Sequence, residues 1–267
     1  ATEVADTRSW TTLPAQIRMA RLLLPPGRHD VTALFKNSAG TVVATYAKSG
    51  ASTTTVSVPF NNSGTVTISA GTLALTGGGT TSGTGTLAIG SGAAFDVVGG
   101  TYTLANGASL SGAGTFSASA GTLNIAAGTL SLANFTLNGG TLAGAGTAAF
   151  AGLNQTSGVI SIASLTLTGT PSWAGGTWSS ATASTASIAS GATLAISSTA
   201  NHDFNFRTIT NSGTVNWTGG SLRSGGGGSF TNAAGALFND QGTASHAINN
   251  DLGGTVSTFT NAATATY

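Results

Sequence analysis

The stretch NHDFNFR, residues 201–207, brings His202, Asp203 and Arg207 within seven positions of one another. A histidine beside a carboxylate is the raw material of a general base. Neighbouring residues of an extended strand point to opposite faces, however, so His202 and Asp203 do not meet there. The stretch reads as a solvated loop or corner. Glycoside hydrolysis needs two positioned carboxylates. After residue 50 the acids are Asp96, Asp203, Asp240 and Asp251, with no glutamate among them, and they are scattered along the chain. His29 and His246 stand alone, and no spacing suggests converging metal ligands. GTGTLA and GAGTFS lack the last glycine of a dinucleotide fingerprint, and Gly225–Gly228 reads as a corner. No catalytic, cofactor-binding or metal-binding residue is assigned, and the chain reads as a non-enzyme.

Binding chemistry has more material. Trp173, Trp178 and Trp217 lie in SWAGGTWSS and VNWTGG, and indole faces stack on sugars. The same rings would equally fill the core of wide coils, as the inward spacing of Phe95, Phe116 and Phe150 suggests. Thr-x-Thr pairs at 65/67, 101/103 and 166/168 raise an ice-binding face, against which their irregular placement counts.

What could position such groups is set by an unusual composition. Of 267 residues, 40 are glycine, 6% are charged, 40% are hydrophobic and none is cysteine. Ordinary soluble domains are about 25% charged. Disordered chains lack this supply of buriable surface, so a folded protein of uncommon shape is expected. Disulfides and thiolate metal sites are excluded. No run of eighteen apolar residues occurs, so no transmembrane helix is expected. Six basic residues, Arg8, Arg18, Arg21, Arg28, Lys36 and Lys48, fall in the first fifty against Glu3, Asp6 and Asp30. Beyond them only Arg207 and Arg223 are cationic. That excludes the dense basic stripe that nucleic-acid binding needs.

Glycines recur at 64, 71, 78, 85, 92 and 99, and then at 107, 114, 121 and 128. Between them lie words such as TVTI, TLAL and TLAI, whose apolar residues alternate with Thr, Ser and Ala. Period two is the signature of strands, and glycine supplies the bent or positive-φ residue of a corner. A coiled coil is ruled out, because a glycine in every heptad costs about 1 kcal/mol in a helix. Strands this short suit a solenoid in which each word stacks on its counterpart one coil later. Three words make a coil of about 21 residues, so residues 51–267 predict roughly ten coils at about 4.8 Å each. Asparagines beside the corners, in FNNSG, LANG, ITNSG and FTNAAG, are expected to stack as amide ladders.

The words FNNSGTVTISAGTLALTGGG, LANGASLSGAGTFSASAGTLNI, WAGGTWSS, IASGATLAI and RTITNSGTVNWTGGSL resemble the Gly/Thr/Asn-rich repeats of large bacterial surface and secreted proteins. These are filamentous-haemagglutinin-like adhesins and autotransporter passenger domains, and the resemblance covers residues 61–267. It implies an all-β, right-handed parallel β-helix, export, and a place on or outside the cell. The expected role is a rigid rod or filament element, with end-to-end self-association or host and matrix glycans as partners. The alternative is a carbohydrate-binding β-helix using Trp173, Trp178 and Trp217; a polysaccharide lyase or hydrolase ranks below both. Residues 1–50 read as a cap for the open end of the solenoid, or as a small β module whose basic residues would face an acidic partner or an anionic surface. The chain's last word, TVSTFTNAATATY, breaks off inside a strand and suggests a longer array.

Overall fold

The computed structural model describes residues 45–267, and these form one parallel β-solenoid of about nine turns with no helix. Most of the segment read as a cap or docking module lies outside the described residues. One part does not: Thr45–Lys48, placed by its sequence in that segment, pairs in parallel with Thr65–Ile68 as a rank of the solenoid. No helix among the described residues is long and apolar enough to cross a membrane.

Three faces make each turn. The first stacks Thr45–Lys48, Thr65–Ile68, Thr86–Ile89 and Ser109–Ser111. It resumes with residues 129–132 and climbs through Ser164–Leu167, Ser184–Ile188, Arg207–Asn211 and Ser229–Asn232 to Thr258–Asn261. The second face carries Thr53–Val56, Thr72–Leu75, Ala94–Val97 and Thr115–Ala118 upward to Thr193–Ile196, Thr214–Trp217 and Leu237–Asp240. The third begins with Phe60–Asn62, Gly79–Thr81, Thr101–Leu104 and Thr122–Ile125. Higher up it thins to single bridges at Thr177 and to the two-residue pieces His202–Asp203, Leu222–Arg223 and Ile248–Asn249. In the middle, Thr129–Ala143 and Thr147–Ile160 run as strand through their corners.

Register explains why the words alternate. Each inward residue lies over an inward residue of the next coil, so Leu73, Phe95 and Phe116 form one column, all fully buried. Burying each such side chain contributes about 1.5–3 kcal/mol. Phe95 and Phe116 lie 4.8 Å apart by ring centroid, and Phe135 and Phe150 lie 4.6 Å apart. The seven-residue glycine rhythm splits into two physical roles. Gly71 turns a corner at φ +66°. Gly121 has no such φ; a Cβ there would sit 2.7 Å from Val97 Cγ1 and 2.9 Å from Gly99 N. One glycine bends the chain and the other lets adjacent coils touch.

The amide ladder forms at one corner. Asn211, Asn232 and Asn261 stack, with Asn211 Nδ2 and Asn232 Nδ2 each donating at 2.8 Å to the Oδ1 above. FNNSG does not join it. It turns the corner between the third and first faces, whereas ITNSG turns the one between the first and second. Asn62 therefore has Thr81 above it instead of asparagine.

Candidate functional site

The structure divides the chemistry-bearing side chains between the interior and the surface differently from the sequence reading. NHDFNFR is not a solvated corner: His202, Phe204 and Arg207 are buried, while Asp203 faces outward. The expectation that His202 and Asp203 diverge holds. Asp203 instead binds Arg223, one coil later, through Nε at 2.8 Å and Nη2 at 2.9 Å.

The reversal at Arg207 comes from Phe206. Strict alternation from His202 and Phe204 would turn Phe206 inward and Arg207 outward. Phe206 adopts φ +55° and is 40% exposed, which shifts the phase by one residue. The guanidinium, fully buried, donates to four carbonyls: Trp178 O at 3.2 Å, Thr185 O at 2.8 Å, and Ile160 O and Ile162 O at 3.0 Å each. Burial pushes its pKa down to about 10, which leaves it charged at neutral pH. No carboxylate is among these four partners, so the charge is met by carbonyl dipoles of the two coils below.

His202 holds Nε2 at 3.1 Å from both Trp173 O and Ser197 O. Two carbonyl acceptors place the ring proton on Nε2. Nδ1 is then buried without a partner, against Gly220, where a Cβ would come within 2.9 Å of the ring. Burial first of all lowers the histidine's pKa, with the two carbonyls and Asp203 opposing.

Trp173, Trp178 and Trp217 all lie in the core, at 0%, 0% and 1% exposure. Trp173 and Trp178 stack at 4.1 Å with planes 8° apart, and His202 meets Trp173 edge-on at 5.0 Å. Their indole N–H groups bond inward: Trp173 to Gly176 O, Trp178 to Gln155 Oε1, and Trp217 to Gly219 O and Gly220 O. None offers a ring face to a sugar, which corrects the reading of these residues as glycan-stacking. The rings fill the core of the coils where the third face has thinned. Phe95, Phe116 and Phe150 lie inward as their spacing indicated.

His246 is not isolated. Its Nε2 lies 2.8 Å from Asp240 Oδ1 and its Nδ1 2.6 Å from Ala244 O, contacts that raise its pKa, the Ala244 carbonyl foremost. Both nitrogens are engaged, so the ring does not present a free base. It sits at the rim of an open groove of about 470 Å³ lined with Ser198, Asn201, Ser221 and Ser245. Asp251 accepts from Asn249 on its own loop. Among the described residues no three His, Asp or Glu side chains gather where they could hold a metal ion.

The outer surface of the first face is its own kind of region. Thr45, Thr65, Thr86 and Ser109 form one column, and Thr129, Thr147, Ser164, Thr185, Thr208, Ser229 and Thr258 continue it. Sequence inspection missed this column, because the glycine rhythm assigns no word to a face; only pairing sorts one face's threonines from the others'. No family model, no curated protein and no solved structure matches the chain.

Proposed function

We propose that this solenoid is a structural segment of a secreted or cell-surface bacterial protein, a rod that holds other parts at a distance and performs no catalysis. The observation that carries the reading is where the reactive groups lie. His202, Arg207, Gln155 and the three tryptophans are consumed inside by hydrogen bonds and packing, while the exterior is mostly Thr, Ser, Ala, Asn and Gly. A stack held by backbone ladders and a greasy axis needs no charge and binds no cofactor to stand. The resemblance of the repeat words to adhesin and autotransporter repeats supports the same placement outside the cell. End-to-end self-association and contact with matrix glycans belong to this proposal.

Antibody raised against residues 45–267 is expected to label intact cells or the culture supernatant of the organism that makes the chain. Signal appearing only after lysis would overturn the placement. A polysaccharide panel incubated with the full chain should show no depolymerisation; turnover lost in Asp203→Ala would overturn the non-enzymatic part.

A further inference from the structure

Beyond the rod's mechanical role, we propose that the outward side of the first face is a binding surface for a crystalline water lattice: it adsorbs to ice. The array is widest from Ser164 upward, where both outward positions of every rank are hydroxylic. The ranks read Ser164/Thr166, Thr185/Ser187, Thr208/Thr210, Ser229/Thr231 and Thr258/Thr260. Ranks repeat at roughly 4.8 Å, and the two columns stand roughly 6.7 Å apart, twice the rise of a strand residue. This rectangular net is close to the oxygen repeat on a prism plane of hexagonal ice. Hydroxyls bond along the columns, Thr185 to Ser164 at 3.4 Å, Ser187 to Thr166 at 3.3 Å and Ser229 to Thr208 at 3.4 Å. These contacts orient the net while each oxygen keeps capacity for water.

Threonine favours strands on any face, so its abundance alone means little. The second face supplies the comparison. Its equivalent column holds Thr53, Thr72, Ala94, Thr115, Asn134 and Gly152, and higher up Thr193, Thr214 and Leu237. Threonine gives way there to whatever the coil tolerates, whereas in the matching first-face column it yields only to serine; the second first-face column admits Ala47, Ala88 and Ala149 below Ser164 and is hydroxylic from Thr166 upward. Coil length does not disturb this. The step from Thr208 to Ser229 is ordinary and that from Ser229 to Thr258 carries a long insertion, yet the hydroxyl returns to register each time.

Charge narrows the occupant. Asp96, Asp203, Arg223 and Asp240 project from the second and third faces, and neither outward column of the first face carries a charge or an aromatic ring. A nucleic acid or anionic lipid would need cations there. A protein partner is met with aromatic and arginine anchors, and a sugar ring with a stacking platform. A neutral, regularly spaced hydroxyl net matches a neutral lattice of water.

The test uses the full 267-residue chain fused to a fluorescent protein, in an ice hemisphere grown from dilute solution and in frozen sucrose followed for recrystallisation. The parent chain is expected to be incorporated into the ice and to slow grain growth. Thr185→Tyr with Thr208→Tyr should be excluded from ice and inactive, as should Thr185→Lys with Thr208→Lys. Thr193→Tyr with Thr214→Tyr, on the second face at the same coils, should behave as the parent. Circular dichroism and thermal melting identify which variants are folded, and the two first-face pairs give independent chances of a folded one. Exclusion of the parent chain from ice at every concentration would overturn the proposal. So would equal loss on both faces, or retention by crystalline chitin or cellulose without retention by ice. None of these outcomes bears on the rod reading, which rests on cell labelling and the polysaccharide panel.

Discussion

Residues 45–150 and 151–261 wind the same way and are filled differently. The lower region runs on apolar columns, with Val66, Leu87, Phe95, Phe116, Leu123 and Ile125 all buried. Its interior polar groups are few: Lys48, bonded to Gly50 O and to Ala70 O, Asn62, and the Thr81–Tyr102 hydroxyl pair at 2.6 Å. Burial pushes that tyrosine up to about 12. The upper region buries Gln155, His202, Arg207, Asn211 and Asn232. The difference follows the third face. Where its strands are full, coil carbonyls find partners in the ladder. Beside the thinned third face, Ile160 O, Ile162 O, Trp178 O and Thr185 O accept from a side chain, and buried carbonyls without donors are costly. Arg207 supplies the missing donors. Regular words can close a coil by themselves; irregular ones need a polar side chain to complete the ladder.

The largest expected effect breaks that contrast directly. Arg207→Met keeps bulk and removes the donors to four carbonyls; each buried acceptor left without a partner costs about 1–3 kcal/mol, so the loss should exceed about 3 kcal/mol. Leu123→Met in the lower region, a volume-conserving change, should cost less than about 1.5 kcal/mol. Urea unfolding followed by tryptophan fluorescence and by circular dichroism measures both. Arg207→Lys should recover little, because an ammonium cannot span the fork. Equal midpoints for Arg207→Met and Leu123→Met would mean that the guanidinium adds nothing beyond packing.

The contrast also explains what could be read from the chain in advance. Parallel winding and three words to a coil follow from glycine rhythm and period two, and inward Phe95, Phe116 and Phe150 follow from the alternation. Arg207 was hidden because a charged residue is ordinarily solvated, and because its inward turn depends on the positive φ of Phe206, a conformation that non-glycine residues rarely adopt. His246 and Asp240 meet across a long corner loop, which no periodicity describes. The first-face hydroxyl column was hidden for another reason: the seven-residue word is shared by all three faces. FNNSG and ITNSG look alike in sequence and turn different corners.

A second test asks whether the upper region's asparagines replace the lower region's aliphatics for packing or for bonding. Asn211 stands directly above Ile188 in the same inward column. Asn232 accepts from Asn211 Nδ2 and donates to Asn261 Oδ1 at 2.8 Å and Thr266 O at 2.9 Å. Asn232→Leu should cost about 1–3 kcal/mol, because the buried amide of Asn211 loses its acceptor and Thr266 O loses its donor. Adding Asn211→Leu should recover part of that loss, since the polar partner below is removed as well. A further drop in the urea midpoint for the double variant would mean that the column requires amides for some other purpose.

The smallest effect is confined to one titration, and it separates the two histidines of the upper region. The folded pKa of His202 is lowered, chiefly by burial, so the unfolded chain binds its proton more readily. Stability contributed by the neutral ring is therefore complete above the unfolded value of about 6.5 and is lost as pH falls toward the folded one. A second proton would land on Nδ1, against Gly220, where no acceptor waits. His246 has the opposite sign: its contacts with Ala244 O and Asp240 raise its pKa, so its contribution is present at low pH and lost as pH rises through the folded value. That ring sits at the surface, where solvent screening weakens the contribution. Urea midpoints measured between about pH 8 and about pH 5 should fall on acidification in the parent chain and fall less in His202→Gln, with His246→Gln leaving the acid limb at least as steep. A parent midpoint that rises over the same span would show that His246, and not the buried ring, governs the pH response of the upper coils.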